Sequence, residues 1–146
     1  MRYCSLADLQ LAMPQMTLVM LSNDDPVATD INADIVALAI TQAEELVDAH
    51  LRGRYKLPLV EVPTVVKEIT VNLARHWLYA RRPEGAEIPE AVTRTWKQAL
   101  EHLGTIRDGK LTLGIPASGQ DAPEPGEVKV RVKRATFSQS LLDKYR

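Results

Sequence analysis

The chain has 146 residues, 45% of them hydrophobic, with one Cys and a formal net charge of −1. That is enough apolar material for one domain with a core and too little for two. The charge argues against a surface built wholly for nucleic acid, and the lone Cys4 excludes an internal disulfide, so a reducing cytosol suits the chain.

Ser5 with Asp8 three positions later has the order of a capping box, and Leu6, Leu9 and Met13 share one helical face. Pro14 interrupts that helix at a position suited to starting a second, whose apolar surface runs from Met16 to Leu21. Two short helices are expected, followed by a polar loop from Ser22 to Asp30. The acidic trio Asp24, Asp25 and Asp30 lacks the Gly and the closing Glu of a calcium loop and reads as solvated.

The longest helical signal runs from Asp34 to Arg52, roughly 28 Å at about 1.5 Å per residue. Ile35, Leu38, Gln42, Leu46 and Ala49 mark one stripe, and Val36, Ile40, Ala43, Val47 and Leu51 mark another beside it. Two adjoining stripes predict a central helix that touches neighbours on at least two sides. Asn32 or Asp34 is expected to cap its start and Gly53 to take a left-handed position past its end, while Arg52 and Arg54 suit the negative end of its dipole. Beyond it, Pro58 holds Leu57 extended, which sets Tyr55, Leu57 and Leu59 on one side of a segment able to fold back.

Pro63 opens the next helix, with Val62, Val65, Val66, Ile69, Leu73, Trp77 and Ala80 as its apolar face and a basic surface of Lys67, Arg75, Arg81 and Arg82. Pro89 opens the last, with Val92, Trp96, Ala99 or Leu100, Leu103 and Ile106 inward and Asp108-Gly109 as its stop. The expected fold is therefore all-α: a small bundle of three longer helices and two short N-terminal ones over residues 1–113. A linker rich in Pro, Gly and acid follows over 114–126, and a basic arm over 127–146. In the arm Val128, Val130 and Val132 alternate with Lys129, Arg131 and Lys133 at the period of a strand, and one strand needs a partner. Phe137, Leu141, Leu142 and Tyr145 add apolar anchors. Residues 126–146 carry six Lys or Arg against Glu127 and Asp143, whereas residues 1–30 carry one Arg against four Asp.

Chemistry-bearing patterns are sparse. His50, His76 and His102 fall singly on three helices, with no second ligand at helical spacing, so no metal and no cofactor is expected. Glu44, Glu45 and Asp48 read as solvated carboxylates, and no nucleophile, acid pair or phosphate-binding Gly loop accompanies them. Catalysis is not expected. The longest apolar run, Ile35 to Ile40, is far short of the roughly 20 residues that span a bilayer, and neither a membrane anchor nor secretion is expected.

The order of motifs carries more. Tyr3 with Leu6-Ala7-Asp8-Leu9, the helix from Ala39 running into residues 51–59, Val62-Pro63, the stretch Ala74 to Tyr79, Ala99-Leu100, Ile106, residues 109–114 and the tail from Arg134 to Ser138 resemble the Mu-like prophage family of small head-tail connector proteins. The stretch from Leu51 to Leu59 is the most specific part. His50 and Ala49 depart from the more polar or aromatic helix end of the family's pattern. The resemblance implies a ring at the portal-tail junction of a virion, with portal and tail or neck proteins as neighbours, copies of the chain beside it, and no catalytic residues. It implies residence in the virion neck after assembly and in the host cytoplasm before it. Such a ring needs protomers presenting different patches to their neighbours, for which Arg52, Arg54, Tyr55, Leu57 and Pro58 and, in the arm, Val128, Val130, Val132, Phe137 and Leu141 are the candidate contacts. DNA must pass the lumen without sticking, which suits acidic lining from Asp24, Asp25, Glu44, Glu45 and Asp48. The alternative is a nucleic-acid-binding module in which Lys129, Arg131, Lys133 and Arg134, helped by Arg75, Arg81 and Arg82, contact phosphates.

Overall fold

A computed structural model describes residues 2–82 and 87–116. Five helices follow in order: α1 (Leu6–Ala12), α2 (Gln15–Ser22), α3 (Ala33–Leu51), α4 (Thr64–Ala80) and α5 (Glu90–Arg107). The fold is all-α, as the periodicity predicts, with three long helices packed on one another and the two short ones lying across α3 and α4. The expected linker limit at residue 126 lies outside the described residues, which end at Pro116. The linker from 117 onward and the arm lie outside the described residues. Among those described, no helix is long and apolar enough to cross a membrane.

The starts follow from local chemistry. Ser5 and Asp8 form the full capping box, each side chain bonding the other's backbone N–H. Asn32 caps α3 by accepting from the N–H groups of Asp34 and Ile35. Pro14, Pro63 and Pro89 each stand one residue before a helix, where the missing N–H costs nothing, and their carbonyls accept the first helical bonds, from Leu18, Lys67 and Thr93.

The core runs along α3. Val36, Ala39, Ile40, Ala43, Val47 and Leu51 are buried against Val66, Ile69, Leu73 and Leu78 of α4 and Ala99, Leu103 and Ile106 of α5. One of the two stripes expected on α3 enters it only through Ile35, which packs half-buried against the core. Leu38 and Leu46 are 46% and 38% exposed, and Ala49 and Gln42 also face solvent. The buried sector is rotated instead toward Glu44 and Asp48, because the N-terminal residues before α1 cover that side and satisfy both carboxylates. On α4, Val65 and Ala80 likewise face outward.

The end of α3 also departs from the expectation. Gly53 is not left-handed; the chain turns through a right-handed Arg52, and the amides of Arg54 and Tyr55 both donate to the Leu51 carbonyl at 2.9 Å. The segment then folds back as predicted, burying Tyr55 and Leu59 and half-burying Leu57, and its Leu57–Pro58 peptide is cis. Tyr55 Oη accepts from the Leu113 amide at 3.0 Å, which ties the last described turn to the end of α3.

Left-handed glycines stand instead beyond α5, at Gly109 and Gly114. Gly109 has φ +80° just past α5, and a methyl group there would overlap the Arg54 guanidinium, which lies over the Gly109 backbone. Two constraints therefore meet at one residue, a φ that L side chains avoid and a space already filled. Gly109→Ala is expected to lose about 2 kcal/mol in chemical denaturation. Arg54→Ala in the same background recovers only the steric part, because the backbone strain stays.

Candidate interaction surfaces

Two polar features and one apolar groove make up the chemistry of the described surface. The first is an N-terminal clasp on α3. Glu44, only 2% exposed, accepts from the backbone amides of both Arg2 and Tyr3, the latter at 2.8 Å. Asp48 accepts from the Tyr3 hydroxyl at 2.5 Å and from Arg2 Nη1 at 2.7 Å. The expectation that Glu44 and Asp48 are solvated, and available to line a lumen, is thus overturned: one turn apart on α3, they face inward and hold residues 2 and 3 down. Glu45, between them, remains in solvent. Burial, with the bond to Asp48 adding to it, pushes the Tyr3 phenol up to about 12. Cys4, also buried, is pushed up to about 12 by burial, with the negative charge of Glu44 contributing. A thiol held so far above neutrality is a small core side chain and not a nucleophile.

The second feature is a set of ion pairs that pins the short helices to α4. Lys67 reaches Asp8 at 3.3 Å, and the bonds from Ser5 to the Asp8 carboxylate, together with Lys67, hold that carboxyl below its usual range. Arg81 donates to the Leu21 carbonyl at 2.9 Å and to Asp24 at 2.8 Å. Arg82 lies over the Tyr79 ring. Of the cations proposed as helpers in phosphate binding, Arg81 is therefore committed inside the chain, and Lys67, at the other end of α4, is committed to Asp8. His76 stacks on Trp96, ring centroids 4.4 Å apart, and its burial lowers its pKa, which fits a packed pair between α4 and α5. Among the described residues, no group of three His, Cys, Asp or Glu side chains is placed to hold a metal ion.

The apolar feature lies where α2 meets the loop to α3. Met16 and Met20, one turn apart on α2, are 72% and 65% exposed, and with Asp24, Asp25 and Pro26 they border a groove of about 380 Å³. The loop is held in shape. Asn23 Nδ2 donates to the Asp30 carbonyl at 2.7 Å, the Asn32 amide donates to Ser22 Oγ at 3.1 Å, and the Val27 amide donates to Asp25 at 2.9 Å. Val27 and, on α1, Leu11 are 79% and 88% exposed. In the sequence Met16 and Met20 supply apolar surface of a short helix, with no face assigned to them. Their spacing, i and i+4, out of step with the buried Leu18 and Leu21, is the signal that marks them as outward.

Of the residues predicted at subunit contacts, Arg52 and Pro58 are exposed, Arg54 and Leu57 are half-buried, and Tyr55 is turned into the core. Val128, Val130, Val132, Phe137 and Leu141, and the phosphate-contact candidates Lys129, Arg131, Lys133 and Arg134, lie outside the described residues.

Comparison with known proteins gives a consistent set of relatives. A sequence model of the family described as Bacteriophage Mu, Gp36 matches residues 3–132. Gene product J of Escherichia phage Mu is 30% identical over 95 residues, which is 65% of this chain and 63% of that protein. The Mu-like prophage FluMu protein gp36 of Haemophilus influenzae is 27% identical over 90 residues, 62% of this chain and 60% of that one. The chain thus spans less than two thirds of the length of either relative.

Proposed function

The chain belongs to the Bacteriophage Mu, Gp36 family, and on that footing we propose that it is a structural protein of a phage or prophage particle, specifically a head-tail connector forming a ring between portal and tail. The role is architectural and not catalytic. The observation that carries the reading is the set of large apolar side chains left in solvent on the helical body: Leu11, Met16, Met20 and Val27 on the side of the short helices, and Leu38 and Leu46 on α3. A monomer gains nothing from exposing Leu11 or Val27 so fully, whereas a protomer sealed between neighbours buries them on assembly. Arg52 and Pro58 add an exposed patch at the opposite end of α3. Should DNA pass a lumen, Glu45, Asp25 and Asp24 are the candidates still exposed to line it, since Glu44 and Asp48 are inside.

The protein, kept in the host cytoplasm until it meets a portal, is expected to add to that portal as a ring visible by electron microscopy. Met16→Asp combined with Leu46→Asp is expected to abolish that addition while leaving helicity and melting temperature near the parent's, because both sites are already exposed. Rings that form with the doubly substituted protein as readily as with the parent would sink the reading.

A further inference from the structure

We infer that the groove between α2 and the 23–30 loop is the docking site for the basic C-terminal segment, residues 127–146, of a second copy of this chain. The inference rests on the connector reading above and names the contact that would join one protomer to the next. The groove is lined by the exposed apolar Met16 and Met20 and by the acidic Asp25 and Asp24, the latter shared with Arg81. The segment is its complement in composition. Val128, Val130 and Val132 alternate with Lys129, Arg131 and Lys133, and Phe137 and Leu141 follow. Methionines suit such a surface because their unbranched, polarizable side chains repack around an incoming apolar anchor. Opposite charge on rim and segment steers the encounter and fixes its direction.

The position of the groove argues for a second copy over the same chain. It lies at the start of α3, where Asn23 and Ser22 tie the loop down and Arg81 arrives from the end of α4. The last described residues lie at the other end of α3, where Leu113 is held by Tyr55. Nineteen helical residues separate those ends by about 28 Å. Residues 117–126 would have to use most of their reach of about 3.3 Å each to return along the bundle within one chain. Docking on a neighbour needs no return, and a site at one end met by a segment leaving the other is a head-to-tail contact of the kind that closes rings.

The test uses the full chain with a benzophenone side chain at position 20, mixed with isotopically heavy parent protein and illuminated. Cross-linked peptides are expected to join position 20 of the light chain to residues 127–146 of the heavy one, at least about ten-fold above a control probe at the exposed position 97. Asp25→Lys is expected to cut the yield by about ten-fold, and Lys129→Glu with Arg131→Glu in the heavy chain to restore it. Added salt lowers the yield of the parent pair. Cross-links confined to the light chain itself, or no preference for residues 127–146 over the control, overturn the inference. A portal ring that forms while this cross-link is absent sinks the inference alone; a protein that cross-links but never joins a portal sinks the connector reading and leaves the contact standing.

Discussion

Glu44→Ala is expected to destabilise the protein by about 3 kcal/mol, read as a fall on the order of 10 °C in Tm. Glu44 is buried on α3 and is the acceptor for two consecutive backbone amides, those of Arg2 and Tyr3. Truncating it removes both bonds, leaves the buried Tyr3 amide and the part-buried Arg2 amide without their acceptor, and opens a hole beside Ala43 and Val47. An orphaned buried donor costs about 1–3 kcal/mol, so the Tyr3 amide, with the lost Arg2 bond and the hole added, outweighs any relief from desolvating one carboxylate less. Glu44→Gln keeps the shape and one acceptor oxygen, and is expected to recover more than half of the loss. By contrast Glu45→Ala, one residue along and in solvent, should change Tm by no more than about 1 °C. Equal effects at 44 and 45 would remove the clasp from the account of stability.

The contrast between Glu44 and Glu45 also shows where sequence reasoning stops. Helix positions were legible because apolar residues recur at helical spacing, as in Val36, Ile40, Ala43, Val47 and Leu51, and because Ser5, Asn32 and the three Pro mark the starts. Gly109 was legible as a stop, though Gly53, an equally plausible glycine after a helix, proved to need no left-handed backbone. The clasp was not legible. Its bonds join residues more than forty positions apart, and a carboxylate looks the same in sequence whether water or a buried amide satisfies it. A weak signal existed: Glu44 and Asp48 each directly follow a core position, Ala43 and Val47, and so sit at the margin of the buried sector. The same ambiguity misplaced Leu38 and Leu46, because periodicity gives the angle of a stripe but not which neighbour covers it. Apolar residues that a subunit partner would cover are indistinguishable in one chain's sequence from those its own core covers.

Alkaline pH tests the same region from the other side, through groups that must stay protonated. Burial moves Cys4 from its ordinary value of 9.0 to about 12 and Tyr3 from 10.0 to about 12. In both cases the folded state holds its proton more tightly than the unfolded chain does. The stability that each group contributes is therefore complete below its unfolded value and is lost as pH rises through the window up to the folded one. Stability should be flat from pH 7 to about 9 as far as these groups are concerned, then fall, first through Cys4 and above about pH 10 through Tyr3 as well. Each unit of displacement corresponds to about 1.4 kcal/mol, so Cys4 alone accounts for a loss on the order of 4 kcal/mol by pH 12. Comparison between variants isolates the contribution of these two groups. Cys4→Ala is expected to begin lower at pH 7, by about 1 kcal/mol for the lost sulfur contacts, and to lose stability less steeply between pH 9 and 12. Tyr3→Phe gives up the bond to Asp48 and, having no proton to lose, flattens the upper part of the curve. Denaturation midpoints measured at half-unit steps from pH 7 to 11.5 decide the matter: curves for both variants that run parallel to the parent's would show that neither buried proton is linked to folding.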